Sequence, residues 1–215
     1  MIGGDFVETF SVNKKLLIGR FQFYNVFFHY YTNRLWDQSI WSSAVSSLFE
    51  QINNTGNEEF YEGINLLQNL VEDDITEAKF DFNRLFIGPN KLLAPPYESV
   101  YIRKERVLMQ NETLIIRNFY ESAGLTVSKL GKEPDDYIGF ELEFICYLLH
   151  NLINGEEENV RCLELYVNFM EHHFLKWVQL HCIDVVKHSE SKICLGMALI
   201  LKAFVGQENE FIKTL

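Results

Sequence analysis

Proline is scarce in this chain, with 4 residues in 215, and all of them fall between Gly88 and Pro96 or in Glu133-Pro134. Cysteine is as scarce. Cys146, Cys162, Cys182 and Cys194 stand far apart among apolar residues, with no Cys-x-x-Cys pair. That spacing argues against a disulfide framework and reads as reduced core thiols in a reducing compartment. Cations are few, with 19 Lys and Arg against 30 Asp and Glu. A formal charge of −11 argues against nucleic-acid binding, which needs clustered cations to neutralise phosphates. Long apolar runs are also missing, since the longest, Ile193 to Leu201, falls well short of the roughly 20 residues that span a bilayer. Met1-Ile-Gly-Gly-Asp-Phe lacks the basic-then-apolar order of a signal peptide. A soluble, cytoplasmic protein with no integral membrane segment is expected.

Catalytic signatures are absent too. No Gly-x-x-x-x-Gly-Lys-[Ser/Thr] loop, Gly-x-Gly-x-x-Gly or Gly-x-Ser-x-Gly occurs. His173 and His181 would share a helical face about 12 Å apart by helical rise, too far for one zinc ion, and no His-Glu-x-x-His is present. Neither a metal nor a cofactor is expected, and nothing supports an enzyme.

What is present is apolar and aromatic. Hydrophobic residues make up 47% of the chain, including Phe 18 and Tyr 10, enough for one sizeable core without disulfides or metal. Steps of three and four dominate, which is the helical period. Leu17, Phe21, Tyr24, Phe28 and Tyr31 form one stripe, and Trp36, Ile40, Ala44 and Leu48 a second, joined near Asn33. After a polar break at Asn53 to Asn57 come Phe60, Ile64, Leu67 and Val71, then Ile75, Ala78, Phe82, Leu85 and Phe86 behind an Asp74…Glu77 capping box. Asn111 opens a helix with Ile115, Phe119 and Ser122 inward and Gly124 at its end. Pro134 is placed in the first turn of a helix carrying Ile138, Leu142, Ile145, Leu149 and Leu152, and ended by Asn154-Gly155. Three further helical segments cover roughly 156–173, 174–187 and 191–205. The expectation is an all-α domain of about eight to ten helices in two lobes, joined by a proline-marked hinge loop at about 88–109.

Two constellations admit two readings each. Phe82, Leu85 and Phe86 share a face next to the Gly88-Pro89 break, so they are either core packing or one wall of a peptide groove. Glu133-Pro134-Asp135-Asp136, with Glu141 and Glu143 further along, either caps a helix or receives arginines through charge-assisted hydrogen bonds. The acidic balance suits a basic peptide, or simply keeps the protein soluble.

Taken in order, these segments resemble the TorD/DmsD family of cytoplasmic redox-enzyme maturation chaperones. The likeness runs from about Phe80 to Trp177, through Arg84-Leu85-Phe86-Ile87-Gly88-Pro89, Pro95-Pro96-Tyr97, Ser99-Val100-Tyr101, Glu133-Pro134-Asp135-Asp136 and His173-Phe174-Leu175-Lys176-Trp177. Tyr137 stands where the family usually has histidine, and a phenol does not titrate near neutral pH. Lys176 stands where it often has proline. The resemblance implies a chaperone that binds the twin-arginine leader, or the apo-form, of a molybdenum-cofactor oxidoreductase before export. By position, Phe82, Leu85 and Phe86 would meet the apolar part of the leader, and Asp135, Asp136, Tyr137 and Glu141 would lie near its arginines. Gly88, Pro89, Pro95, Pro96, Tyr97, Ser99 and Tyr101 would form the hinge or lid, and Glu133, Pro134, His173 and Trp177 complete the motif set. The alternatives are a chaperone for a non-exported reductase subunit, and weak nucleotide hydrolysis at Gly88-Pro89 and the Asp135-Asp136 turn. Monomer and domain-swapped dimer are both admissible.

Overall fold

Leu17, Tyr24, Phe28 and Tyr31 recur at the helical period, and all four are buried on one helix, α1 (Gly4–Tyr31). The structure, a computed structural model, describes residues 4–36, 38–49, 57–103, 108, 111–127, 133–155 and 159–215. After α1 come α2 (Gln38–Phe49), α3 (Glu58–Leu66), α4 (Glu72–Phe82), α5 (Glu98–Ile102) and α6 (Asn111–Ser122). They are followed by α7 (Ile138–Asn154), α8 (Asn159–Phe169), α9 (Leu175–His188) and α10 (Lys192–Ile212). Among the described residues the fold is all-α, and a single antiparallel bridge between Tyr97 and Tyr137 is the sole β pairing.

α1 packs most extensively on α7, and α10 lies against α3, α4 and α9. The halves before and after the proline-marked segment therefore share one contiguous hydrophobic core rather than holding one each. α7 carries its expected stripe without change: Ile138, Leu142, Ile145, Leu149 and Leu152 are all buried. Cys146, Cys182 and Cys194 are buried free thiols, and Cys162 is half-buried.

Several local expectations are corrected. The segment after Gly88 is not wholly loop, since α5 forms within it; residues 104–107 and 109 of the expected hinge lie outside the described residues, as do Asn53 to Gly56 and the side chain of Ile40. Pro134 precedes α7 instead of opening it, because the helix starts after Tyr137. The expected Asp74…Glu77 capping box is replaced by half of one, three residues earlier: Asp74 accepts the Val71 N–H at 3.0 Å, while exposed Val71 has no side-chain acceptor to return the bond. α6 buries Thr113, Ile116 and Tyr120, leaving Ile115 and Ser122 outside. α8 and α9 are one helical run joined by a π-turn, Met170–Phe174, which re-aims His173 inward.

Candidate functional site

α4 widens into a π-turn, Asn83–Ile87, a feature that arises where one extra residue enters the helical ladder and that often accompanies functional positions. Phe82, Leu85 and Phe86 are all buried here. Phe82 meets Phe86 edge-on at 4.8 Å and Tyr30 at 5.3 Å, and Phe86 packs against Tyr31 at 5.5 Å. In this arrangement the three residues pack into the hydrophobic core, and none of them lines the cleft described below. The neighbouring Arg84 pairs with Asp81 at 2.6 Å, and the other oxygen of Asp81 accepts the Glu190 and Ser191 N–H groups at 2.8 Å, at the start of α10. At Gly88 the chain leaves the turn with φ +106°, a conformation in which a side chain would be strained.

The chain then returns as a strap. Ala94 N–H donates to the Leu85 carbonyl at 3.2 Å, the Pro96 carbonyl accepts Ile138 N–H at 2.9 Å, and the Asp136 carbonyl accepts Glu98 N–H at 3.1 Å. The Asp136 carboxylate accepts Ser99 N–H at 2.8 Å and the Thr113 hydroxyl at 2.9 Å. Asp136 thus caps α5, a helix 37 residues away, supplying an acceptor and a negative charge to the free amide groups of its first turn. It does not cap its own helix, as capping would have required from the sequence. Asp135 faces the Arg117 guanidinium at 2.5 Å, and its carbonyl accepts the Tyr120 hydroxyl at 3.0 Å. These bonds draw the polar Thr113 and Tyr120 to the inside of α6. The Tyr137 hydroxyl donates to the Tyr31 carbonyl, and the Tyr97 hydroxyl to Glu133. Gly139 leaves room for the Tyr137 ring, into which a Cβ would run.

Beneath the strap lie more charged and aromatic groups. The Glu98 carboxylate meets His173 Nδ1 at 3.0 Å, and Trp177 Nε1–H donates to Glu141 at 3.1 Å. Tyr101 stacks on Trp177 at 5.7 Å, and His181 joins the Tyr31 hydroxyl at 2.8 Å. Burial raises the Glu141 carboxyl well above its usual range, with the negative Glu98 adding to it and the Trp177 hydrogen bond opposing. Burial likewise raises Glu98, against the pull of His173. The His181 imidazole is pushed down to about 3 by burial. Every expected site residue of the 133–141 segment, together with Tyr97, Ser99, Tyr101, His173 and Trp177, therefore joins one interlocked clasp. Asp135, Asp136 and Glu141 are fully buried within it, so they form no open acidic rim.

An open concavity lies next to this clasp. A cleft of about 490 Å3 runs between α1, the end of α6 and α7, lined by Phe21, Phe28, Val127, Phe140, Glu143 and Tyr147 among others. The sequence marks Phe21 and Phe28 only as a helix stripe and Glu143 only as acidity continuing Glu141, and nothing in it connects them to Val127, Phe140 or Tyr147. Tyr120 and Phe144 also line it, in ring contact at 5.0 Å. Among the described residues no group of three His, Cys, Asp or Glu could hold a metal ion, and no helix is long and apolar enough to cross a membrane.

The model of the nitrate reductase delta subunit family matches residues 53–182, which contain the whole clasp apart from α1. The chain belongs to this family. Its relatives support the TorD/DmsD branch. The chain is 30% identical over 135 residues to the probable Tat proofreading chaperone DmsD of Haemophilus influenzae, covering 63% of this chain and 60% of that protein. It is 32% identical over 95 residues to the Tat proofreading chaperone DmsD of Salmonella typhimurium, covering 44% and 45%. It is 26% identical over 156 residues to the chaperone protein TorD of Vibrio cholerae, covering 72% and 70%. The chain thus spans 60% of the Haemophilus relative and less than half of the Salmonella one.

Proposed function

We propose that the chain is a maturation chaperone that binds the twin-arginine leader of a molybdenum-cofactor oxidoreductase in the cytoplasm and holds the precursor until its cofactor is in place. It acts by binding and does no chemistry of its own. The observation that carries this reading is the clasp: the segments that resemble the TorD/DmsD motifs, distant in sequence, close on one another through Asp136, Tyr97 and Tyr137. Relatives named as Tat proofreading chaperones support the same reading. A net charge of −11 favours a basic ligand, whose encounter is accelerated by opposite charge and slowed by salt.

Titration calorimetry with a synthetic twin-arginine leader, and with its twin-lysine variant, at two salt concentrations tests the proposal. Binding that weakens with the lysine variant and with salt is expected, because lysine cannot reproduce the planar fork of arginine. Absence of binding to either peptide would overturn it. A second reading rests on the family's description as a reductase subunit: the ligand would then be a leaderless apo-reductase subunit. Capture of the leaderless apoenzyme with no affinity for the leader would favour it.

A further inference from the structure

The carboxylates of the Glu133–Tyr137 motif at Asp135 and Asp136 are buried, yet two residues of the motif touch the wall of the open cleft. The carbonyl of Asp135 accepts the Tyr120 hydroxyl at 3.0 Å, and the Tyr137 ring meets Phe140 at 5.4 Å. Tyr120 and Phe140 both line the cleft between α1, the end of α6 and α7. The cleft is therefore continuous with the clasp: one side of the motif fastens the strap, and the other fixes two aromatic rings.

Its chemistry selects an occupant. Phe21, Phe28, Val127, Phe140 and Phe144 make an apolar floor. Its volume of about 490 Å3 is of the size that holds small ligands or a few apolar side chains. The lining residues include one carboxylate, Glu143, exposed on α7, and neither a Lys nor an Arg. An apolar segment with an adjoining cation satisfies both features, since the apolar side chains leave water and the cation finds an acceptor at the rim.

We propose that this cleft is the docking site for the apolar segment of a basic leader peptide, with Glu143 receiving one of its arginines, and that Asp135 and Tyr137 are positioning residues that act through Tyr120 and Phe140. The proposal rests on the leader-binding reading and assigns it a place, away from the buried Phe82, Leu85 and Phe86. Rings held from behind by a hydrogen bond and a ring contact present a preformed surface, which lowers the ordering cost of binding.

Two surface variants test it in the full chain. Thr126→Trp fills the cleft from its exposed lip, and Glu143→Lys reverses the rim charge; neither residue is buried. Each is expected to weaken the synthetic twin-arginine leader at least about tenfold, with the thermal midpoint unchanged. A leader carrying a photoreactive benzoylphenylalanine in its apolar segment is expected to cross-link to α1 or α7. Wild-type affinity in both variants, or cross-links confined to Gly88–Tyr101, would overturn the cleft while leaving the leader-binding reading standing. Failure of the wild-type chain to bind the leader at all would overturn both. A wild-type dimer that Thr126→Trp converts to monomer would overturn the proposal in favour of a second copy of the chain as occupant.

Discussion

The clasp and the cleft lie against each other and are built in opposite ways. The clasp gathers charged and hydroxyl side chains, buries them, and gives most of them partners: Asp136 to Ser99 and Thr113, Glu98 to His173, Glu141 to Trp177. The cleft gathers phenylalanines, buried and half-buried, around an open concavity with few polar groups among them. A buried polar network is strongly sensitive to any missing member, because a single loss strands the partner group. An apolar surface tolerates variation as long as it stays apolar. The residues that make a sequence motif thus need not be those that meet a ligand; they can be the ones whose geometry admits no substitute.

The sharpest way to break this contrast is to put a charge under the clasp. Leu85 is fully buried, and an aspartate there would be desolvated without a partner. Leu85→Asp is expected to unfold the protein outright, seen as loss of the cooperative thermal transition by circular dichroism. A folded variant that has lost only leader binding would restore Leu85 to a groove wall.

Next in size is the carboxylate that ties strap to turn. Asp136→Ala strands the Ser99 N–H and the Thr113 hydroxyl and removes the cap of α5. A loss of about 3 kcal/mol is expected from urea unfolding, from two hydrogen bonds to a charged group. Asp136→Asn, which can keep one acceptor, is expected to lose less. A leader-binding defect in Asp136→Asn with undiminished stability would mean that the carboxylate meets the ligand after all.

How much of this was legible depends on what drives each element. α7 could be read residue by residue, because Ile138, Leu142, Ile145, Leu149 and Leu152 are held by burial alone and burial follows the helical period. The face of α6 could not be, because Thr113 and Tyr120 turn inward for hydrogen bonds to Asp136 and Asp135, partners that periodicity does not register. α5 escaped notice because its cap comes from 37 residues away. The likeness of Glu133 to Asp136 to a known motif marked an important place. It did not disclose that the carboxylates face inward, since a capping acid and a ligand-binding acid are the same residue type. The cleft left little local signal, as its lining is spread over three helices and mixes core phenylalanines with exposed residues such as Thr126 and Glu143, which lie apart in the sequence.

The pH response separates the two regions further, because the clasp holds carboxyl and imidazole groups that are buried. His181 has its folded pKa lowered to about 3 from an ordinary 6.5, by burial. The unfolded chain therefore binds the extra proton first, and stability falls as pH drops through 6.5 towards 3. At pH 5 the loss from this one group is about 2 kcal/mol, at about 1.4 kcal/mol per unit. Glu141 works in the opposite sense. Its raised folded pKa makes the native state the tighter proton binder, so its contribution is present below the ordinary 4.5 and fades as pH rises past it. Urea midpoints measured from pH 4 to 8 are expected to show a shallower acid limb in His181→Gln and a shallower alkaline limb in Glu141→Gln. A His181→Gln profile parallel to wild type would mean that the imidazole is not held neutral.

The smallest expected effect belongs to Tyr137, where clasp and cleft meet. Tyr137→Phe keeps the ring against Phe140 and Tyr97 and removes only the hydroxyl that donates to the Tyr31 carbonyl. The loss of one hydrogen bond is expected to lower stability by about 1 kcal/mol, while Phe140, still packed by the ring, keeps its place in the cleft wall and leader affinity changes little. Tyr137→Ala removes the ring as well. It is expected to weaken the leader more than Tyr137→Phe does, because Phe140 then loses its support from behind. Calorimetric titration of the two variants side by side decides between ring and hydroxyl. Equal affinity in Phe and Ala variants would separate Tyr137 from the cleft and confine it to fastening α1.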